Sequence, residues 1–358
     1  MILQFGAGNF LRAFVDLFVS QTGFDRIVVV QSTGIERAEA LNRAGCRYHV
    51  AIQGFADGRV IDETEEVASI REALHAGTQW DKVLEAARDP ELRWIVSNTT
   101  EAGFALDDAD TANDGMPQSF PAKLLAVLLA RHAAGLSGVT VLPCELIEHN
   151  GDRLRELVLE QAARWQISPE AIVWLKESCA WVNNLVDRIV PGPPKEHPLL
   201  GEDPLLLSAE PFAFWAIETT DEFPLKHPAI VTSPDITPYY LRKVRILNGL
   251  HSALVCHAVP LGIETVREAV EHPEVGPWLE RLLTEEIVPV LEGRVDDPTG
   301  FGRTTLDRFR NPFLEHKLSA IALNHEAKVK VRLLPTYEEY RSKFGKEPEL
   351  LSAILGKG

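Results

Sequence analysis

Ile2-Leu3-Gln4-Phe5-Gly6-Ala7-Gly8-Asn9-Phe10-Leu11-Arg12-Ala13-Phe14 decides how the first half of the chain is read. A short apolar run ends at a turn holding two glycines. After it, Phe10, Leu11, Phe14, Val15 and Phe18 recur at helical spacing. Strand, tight turn and amphipathic helix make the opening of a β-α-β unit, and backbone N–H groups at such a turn can approach a pyrophosphate closely. The fingerprint is incomplete: Leu11 stands where a third glycine would be, and Ala13 is the next small side chain. A lone G-x-G is an ordinary tight turn; its place between strand and helix favours a phosphate site.

Outward from this stretch the same rhythm repeats. Ile27-Val28-Val29-Val30, Trp94-Ile95-Val96 and Val139-Thr140-Val141-Leu142 are apolar and largely β-branched, as expected of strands buried on both faces. Helical spacing predicts helices over about 68–88, 121–134 and 152–165, so the first part is an α/β fold with a parallel sheet and crossover helices. Residues 191–210, rich in Pro and Gly, read as a loop. Phe212 to Ile217 and Ala229 to Thr232 read as strands. From Thr237 the pattern is mostly helical, and Pro260, Pro273, Pro277, Pro289, Pro298, Pro312 and Pro335 predict several short helices instead of a few long ones. The expected division is 1–232, a dinucleotide-binding domain, and 233–358, a mainly helical domain carrying substrate and catalytic residues.

The 358 residues are 45% hydrophobic and 25% charged, the composition of a folded chain and not of a disordered one. Lys plus Arg number 36 against 52 Asp plus Glu, a net charge of −16, which argues against nucleic acid and anionic membrane as partners. A small anionic substrate remains compatible, because a few local cations can reverse the field in a cleft. Cys46, Cys144, Cys179 and Cys256 lie far apart with no C-x-x-C spacing, which predicts reduced thiols and no metal site. The opening M-I-L-Q-F-G lacks the pattern of a secretory signal, and no apolar run reaches membrane-spanning length, so a cytoplasmic location is expected. The oligomeric state stays open.

Cofactor candidates on the turn are Gly6, Gly8, Asn9 and Phe10. The second strand ends Val30-Gln31-Ser32 without the acid that usually binds the adenosine ribose, so Gln31 leaves NAD and NADP both open. Arg37 could meet a 2′-phosphate only if its loop folds back. Ser97-Asn98-Thr99-Thr100-Glu101 follows the third apolar run, at the carboxyl edge where open α/β sheets bind ligands. Its polar side chains suit a nicotinamide ribose, and equally a helix N-cap at Thr99 or Thr100.

The chemistry is placed on Lys243, Asn248 and His251, in a segment that reads as a helix. At about 100° per residue, His251 falls about 80° and Asn248 about 140° around from Lys243. Lysine can take the alcohol proton if desolvation lowers its pKa, an Asn amide can steady an oxyanion, and His251 can bond a neighbouring substrate hydroxyl. Each residue alone is unremarkable, but Asn248-Gly249 inside a helix costs propensity twice, and such local violations mark functional sites. Asn183 is a candidate second amide donor, and Asp187 with Arg188 reads as a structural ion pair.

Together Q-F-G-A-G-N-F-L-R-A-F (4–14), N-N-L-V-D-R-I-V-P (183–191), K-V-R-I-L-N-G-L-H-S-A-L (243–254) and R-F-R-N-P (308–312) resemble the mannitol dehydrogenase family of polyol-specific long-chain dehydrogenases. The resemblance covers nearly the whole chain, and Lys-x4-Asn-x2-His is its most specific element. It implies a Rossmann-like doubly wound parallel sheet followed by a helical domain, NAD as cofactor, and zinc-independent hydride transfer. Lys243 would be the general acid/base, Asn248 and Asn183 the oxyanion donors, and His251 and Arg308 substrate contacts. S-N-T-T-E-A-G (97–103) and P-C-E-L-I-E-H-N-G (143–151) look like the hexuronate branch, which implies interconversion of D-tagaturonate and D-altronate. Arg245, Arg308, Arg310 and Lys317 are then candidates for the substrate carboxylate on charge grounds. The alternatives are fructuronate reductase, a mannitol or mannitol-phosphate dehydrogenase, and a non-catalytic nucleotide-binding relative.

Overall fold

Ile2–Phe5 lies inside a six-stranded sheet whose order from edge to edge is Ile70–His75, Ile27–Gln31, Ile2–Phe5, Trp94–Ser97, Thr140–Pro143 and Ala180–Trp181. Every pairing is parallel. In chain order this is 3-2-1-4-5-6, the doubly wound arrangement, and its direction of winding reverses between Ile2–Phe5 and Trp94–Ser97. The computed structural model describes residues 1–99, 101–112 and 115–356.

The described chain groups into two units. One comprises Met1–Ala51, Thr64–Ala209 and Ala213–Ile236; the other comprises Ile52–Glu63, Glu210–Phe212 and the chain from Thr237. In the first, Ile2, Leu3, Phe5, Ile27, Val29 and Val30 are completely buried, which is why these strands read as unbroken apolar runs. Helices Phe120–Ala133 and Asn150–Arg164 pack over them. Ser119 caps the former by accepting from the Ala122 N–H, with Pro121 in its first turn. A three-stranded sheet of Ile230–Ser233, Phe214–Glu218 and Asn184–Asp187 completes the unit.

Two local expectations are corrected, and a hairpin appears that the sequence reading did not name. Residues 68–88 are not one helix: Ile70–His75 is an edge strand and the helix is Ala76–Ala87. Arg71, Glu72, Ala73 and Leu74 favour helix by propensity, but pairing with Ile27–Gln31 prevails. The helix after the glycine turn is broken into Asn9–Arg12 and Val15–Thr22, with Phe14 at φ −130°, ψ −89° between them. Tyr48–Ala56 and Arg59–Val67 form a hairpin beside Leu207–Ala209. Its two-residue turn is Asp57-Gly58, both at positive φ, a sequence signal for a primed turn.

From Thr237 the second unit is helical around one apolar core. Its helices from Val266 on are four to twelve residues long, apart from one rod. That rod runs Val275–Arg281, a π-helical turn Leu282–Ile287, then Val288–Leu291. Pro289 has no N–H to give to the carbonyl four residues back and its ring crowds that carbonyl; widening the preceding turn lets the chain continue. A second rod runs Thr237–Arg242, a π-helical turn Lys243–Leu247, then Asn248–Ala258. No helix among the described residues is long and apolar enough to cross a membrane.

Candidate active site

The glycine turn sits at the switch point of the sheet. Gly6 has φ +123°, and a Cβ there would stand 3.0 Å from the Asn98 carbonyl oxygen, so glycine is required. A Cβ at Gly8 would meet nothing within 4 Å. The third position of the fingerprint is explained as well: Leu11 is buried and its Cδ1 packs at 3.3 Å from that Gly6 Cβ position. Asn9 is held by two guanidiniums, its Oδ1 accepting from Arg12 Nη2 at 2.8 Å and Arg37 Nη1 at 3.2 Å. Arg12 is buried and donates to the Leu205 carbonyl at 2.6 Å. Burial lowers its pKa to about 10, which still leaves it charged at neutral pH. Phe10 stacks on Phe14 at 4.8 Å and serves packing.

Gln31 shapes the next loop. Its Oε1 accepts from the Ala38 N–H at 2.7 Å and its Nε2 donates to the Thr33 carbonyl at 2.8 Å. The loop therefore does fold back, and it carries Arg37 to Asn9. On the neighbouring strand, Asn98 Nδ2 donates to the Cys144 carbonyl at 2.7 Å. Thr99 gives both its N–H, at 2.7 Å, and its hydroxyl, at 3.0 Å, to Glu145 Oε1. Ser97 Oγ donates to Glu145 Oε2 at 3.0 Å. Glu145 is 2% exposed and burial raises its pKa. It is the organising residue of this loop, which the sequence marked only as part of a motif. A short 3₁₀ turn begins at Glu101; Thr100 lies outside the described residues. Two glycines, one open on its outer side, at the reversal of a parallel sheet fit a dinucleotide.

Asn183 does not have the freedom expected of an oxyanion donor. Its Nδ2 donates to Asp152 Oδ2 at 2.9 Å and to Glu218 Oε1 at 3.0 Å, so both amide hydrogens are taken, while its Oδ1 accepts from the Asp152 N–H at 3.0 Å. It ties the start of helix Asn150–Arg164 to the strand at Glu218. Nearby, Arg188 Nη1 donates to the Ala13 carbonyl at 2.9 Å, in the break after the glycine turn.

In the second unit the π-helical turn changes how the trio is placed. The Asn248 N–H bonds the carbonyl of Lys243, five residues back. Such a turn absorbs one extra residue, so the offsets from Lys243 fall from about 140° to about 40° for Asn248 and from about 80° to about 20° for His251. The three side chains then start from one stripe of the rod. Lys243 and Asn248 are half-buried. His251 is 8% exposed, lies against Phe309 at 4.3 Å and His316 at 4.8 Å between ring centres, and its Nε2 has no partner among the described residues. Burial first, then His316, Arg308, Arg332 and Lys328, hold its pKa well below 6.5, so the imidazole is neutral. Packing does not demand the glycine of the Asn248-Gly249 step: a Cβ at Gly249 would lie 3.6 Å from the Arg332 carbonyl oxygen, an ordinary contact distance.

The expected cations are differently engaged. Arg308 is clamped by Glu210 through Nε and Nη2, at 2.9 and 2.8 Å, and lies 4.2 Å over the Phe212 ring. Arg245 donates to Thr336 Oγ1 at 2.8 Å and pairs with Glu339 at 2.9 Å. Arg310 pairs with Glu280 and Asp307, and Lys317 with Glu315.

Comparison with known proteins adds independent information. Residues 1–231 match the mannitol dehydrogenase Rossmann domain, and 235–357 match the mannitol dehydrogenase C-terminal domain. The altronate oxidoreductase of Bacillus subtilis (strain 168) is 40% identical over 99% of this chain and 78% of its own length. That of Yersinia enterocolitica is 39% identical over the same shares. Among solved structures, Pseudomonas fluorescens mannitol 2-dehydrogenase, in ternary complex with NAD and D-mannitol, is similar with TM-score 0.75 and 25% identity, covering 99% of this chain and 77% of that one. A substrate-free D-sorbitol dehydrogenase shares the fold at TM-score 0.86 and 24% identity, over 99% and 79% of the two chains.

Proposed function

The chain belongs to the mannitol dehydrogenase family and is a dehydrogenase acting on a CH–OH group, and from this premise we propose that it interconverts D-tagaturonate and D-altronate with NAD as cofactor. The relatives named altronate oxidoreductase, aligned along nearly the whole chain, support that substrate pair. The observation that carries the catalytic reading is the single stripe formed by Lys243, Asn248 and the neutral His251.

Gly6, Gly8 and Asn9 would hold the pyrophosphate of the dinucleotide, whose nicotinamide would supply or accept the hydride. Lys243 takes the carbinol proton in the oxidative direction and returns it to the nascent alkoxide in reduction. Asn248 donates an amide N–H to that oxygen as negative charge grows on it, which favours the transition state over the neutral ketone. His251, being neutral, can donate to or accept from a substrate hydroxyl without adding charge. Asn183 as a second donor would first have to release Asp152 or Glu218, so the oxyanion role rests on Asn248. NAD is the reading supported by the similar mannitol 2-dehydrogenase solved with NAD; Arg37, folded back onto Asn9, is the group that would meet a 2′-phosphate, and the NADPH arm of the panel below reads it.

The test is a panel of D-tagaturonate, D-fructuronate, D-fructose and D-fructose 6-phosphate, each with NADH and NADPH, compared by kcat/KM. Highest kcat/KM with tagaturonate and NADH is expected. A higher value with fructuronate moves the substrate to its sibling, and no turnover with any ketone leaves only nucleotide binding.

A further inference from the structure

In a chain with 52 acidic and 36 basic residues, a half-buried cation without a carboxylate is informative. The four cations that charge alone nominates, Arg245, Arg308, Arg310 and Lys317, all face carboxylates. Lys328 and Arg332 do not. They stand four residues apart on the helix His325–Arg332, and both are half-buried. Lys328 Nζ donates to the Ile321 carbonyl at 2.8 Å, and Arg332 Nη1 to Ser252 Oγ at 3.3 Å. Among the described residues neither meets a carboxylate. Like charges at this helical spacing repel, and burial together with Arg332 pushes the Lys328 pKa down. Their field also reaches His251. Ser252, which Arg332 touches, directly follows His251 in the chain.

The geometry points to Arg332 and Lys328 as the pair that recognises the substrate's terminal carboxylate, beside the hydroxyl-binding His251. This deepens the function proposed above and rests on it. Arg332 has guanidinium N–H groups beyond the one given to Ser252, and a planar fork suits a carboxylate. Lys328 adds a point charge one helical turn away. An incoming carboxylate relieves the repulsion between the two cations, so selectivity for an acid over its neutral counterpart comes from these two side chains.

The experiment compares D-tagaturonate with D-tagatose, which has a hydroxymethyl group in place of the carboxylate, and with D-tagatose 6-phosphate. Wild type, Arg332→Met, Lys328→Met and Arg332→Lys are assayed by kcat/KM, and NADH binding reports that each variant is folded. The ratio of acid to neutral kcat/KM is expected to fall roughly 10- to 100-fold in Arg332→Met, less in Lys328→Met, with partial recovery in Arg332→Lys. An unchanged ratio in both methionine variants overturns the assignment. So does an Arg332-dependent preference for the phosphate over the acid. If the wild type reduces no keto acid, the proposed function fails separately, and the pair is read by binding of D-galactonate against galactitol to the NADH complex. Galactonate binding that Arg332→Met abolishes sustains the carboxylate site; binding that the variant keeps, or no binding by the wild type, overturns it.

Discussion

Arg308 and Glu210 form a two-pronged ion pair, Nε to Oε2 at 2.9 Å and Nη2 to Oε1 at 2.8 Å, with both side chains 2% exposed. Removing one partner strands a buried charge and costs about 3–5 kcal/mol, whereas replacing both with apolar groups costs far less. Urea denaturation should therefore show Arg308→Met and Glu210→Gln strongly destabilised, and Arg308→Met with Glu210→Leu recovering much of the loss. Near-native stability of Arg308→Met would mean that the pair is not a structural clamp, and would return Arg308 to the role of a substrate contact.

Lys243→Met is expected to lower kcat by about 10²- to 10⁴-fold, the usual contribution of a positioned acid or base, with NADH binding retained by fluorescence titration. His251 is neutral at pH 7 because burial and the surrounding cations hold its pKa well below 6.5. His251→Gln should accordingly weaken kcat/KM while leaving the shape of its pH profile unchanged. Loss of a limb of that profile would show that the imidazole titrates during turnover.

Asp16 carries a pH signature in stability. It is completely buried, accepts from the Tyr48 hydroxyl at 3.1 Å, and its pKa is raised by burial from 3.8 to about 7. Between about pH 4 and pH 7 the folded chain keeps a proton that the unfolded chain has lost, so this group's contribution falls as pH rises through that window and is flat above it. At roughly 1.4 kcal/mol per pKa unit the full effect is on the order of 4 kcal/mol. Asp16→Asn should gain stability relative to wild type on going from pH 5 to pH 8 in urea titrations. An equal difference at the two pH values would disprove the shift.

The two glycines of the turn should separate by experiment. Gly6→Ala places a Cβ 3.0 Å from the Asn98 oxygen at φ +123°, and strain of about 1–3 kcal/mol is expected, visible as a lower Tm and weaker NADH binding. Gly8 has φ −70° and open space around its Cβ position. Gly8→Ala should keep its Tm and lose affinity for NADH alone. Unchanged NADH affinity in Gly8→Ala would move the pyrophosphate away from this turn.

Much of the first unit was legible because strands buried on both faces leave unbroken apolar runs, as at Ile27–Val30 and Trp94–Val96. Ile70–His75 was not, since its helix-favouring residues form a strand only through pairing with Ile27–Gln31. The hairpin at Asp57-Gly58 carried a readable turn signal. Glu145 carried none: its carboxylate gains meaning only when the loop at Ser97 and Thr99 is beside it.

From the sequence alone came the residue types proposed to carry the chemistry and the strand–turn–helix punctuation of the glycine turn, because both are local in the chain. Only the tertiary structure decided how they are deployed. A π-helical turn at Lys243–Leu247 rotates the lysine onto the stripe of Asn248 and His251, and no local propensity announces it. Ion pairs between residues as distant in sequence as Glu210 and Arg308 engage the cations that charge alone nominates, while Lys328 and Arg332 are among the described cations that meet no carboxylate, because charges are matched by proximity in space and not along the chain.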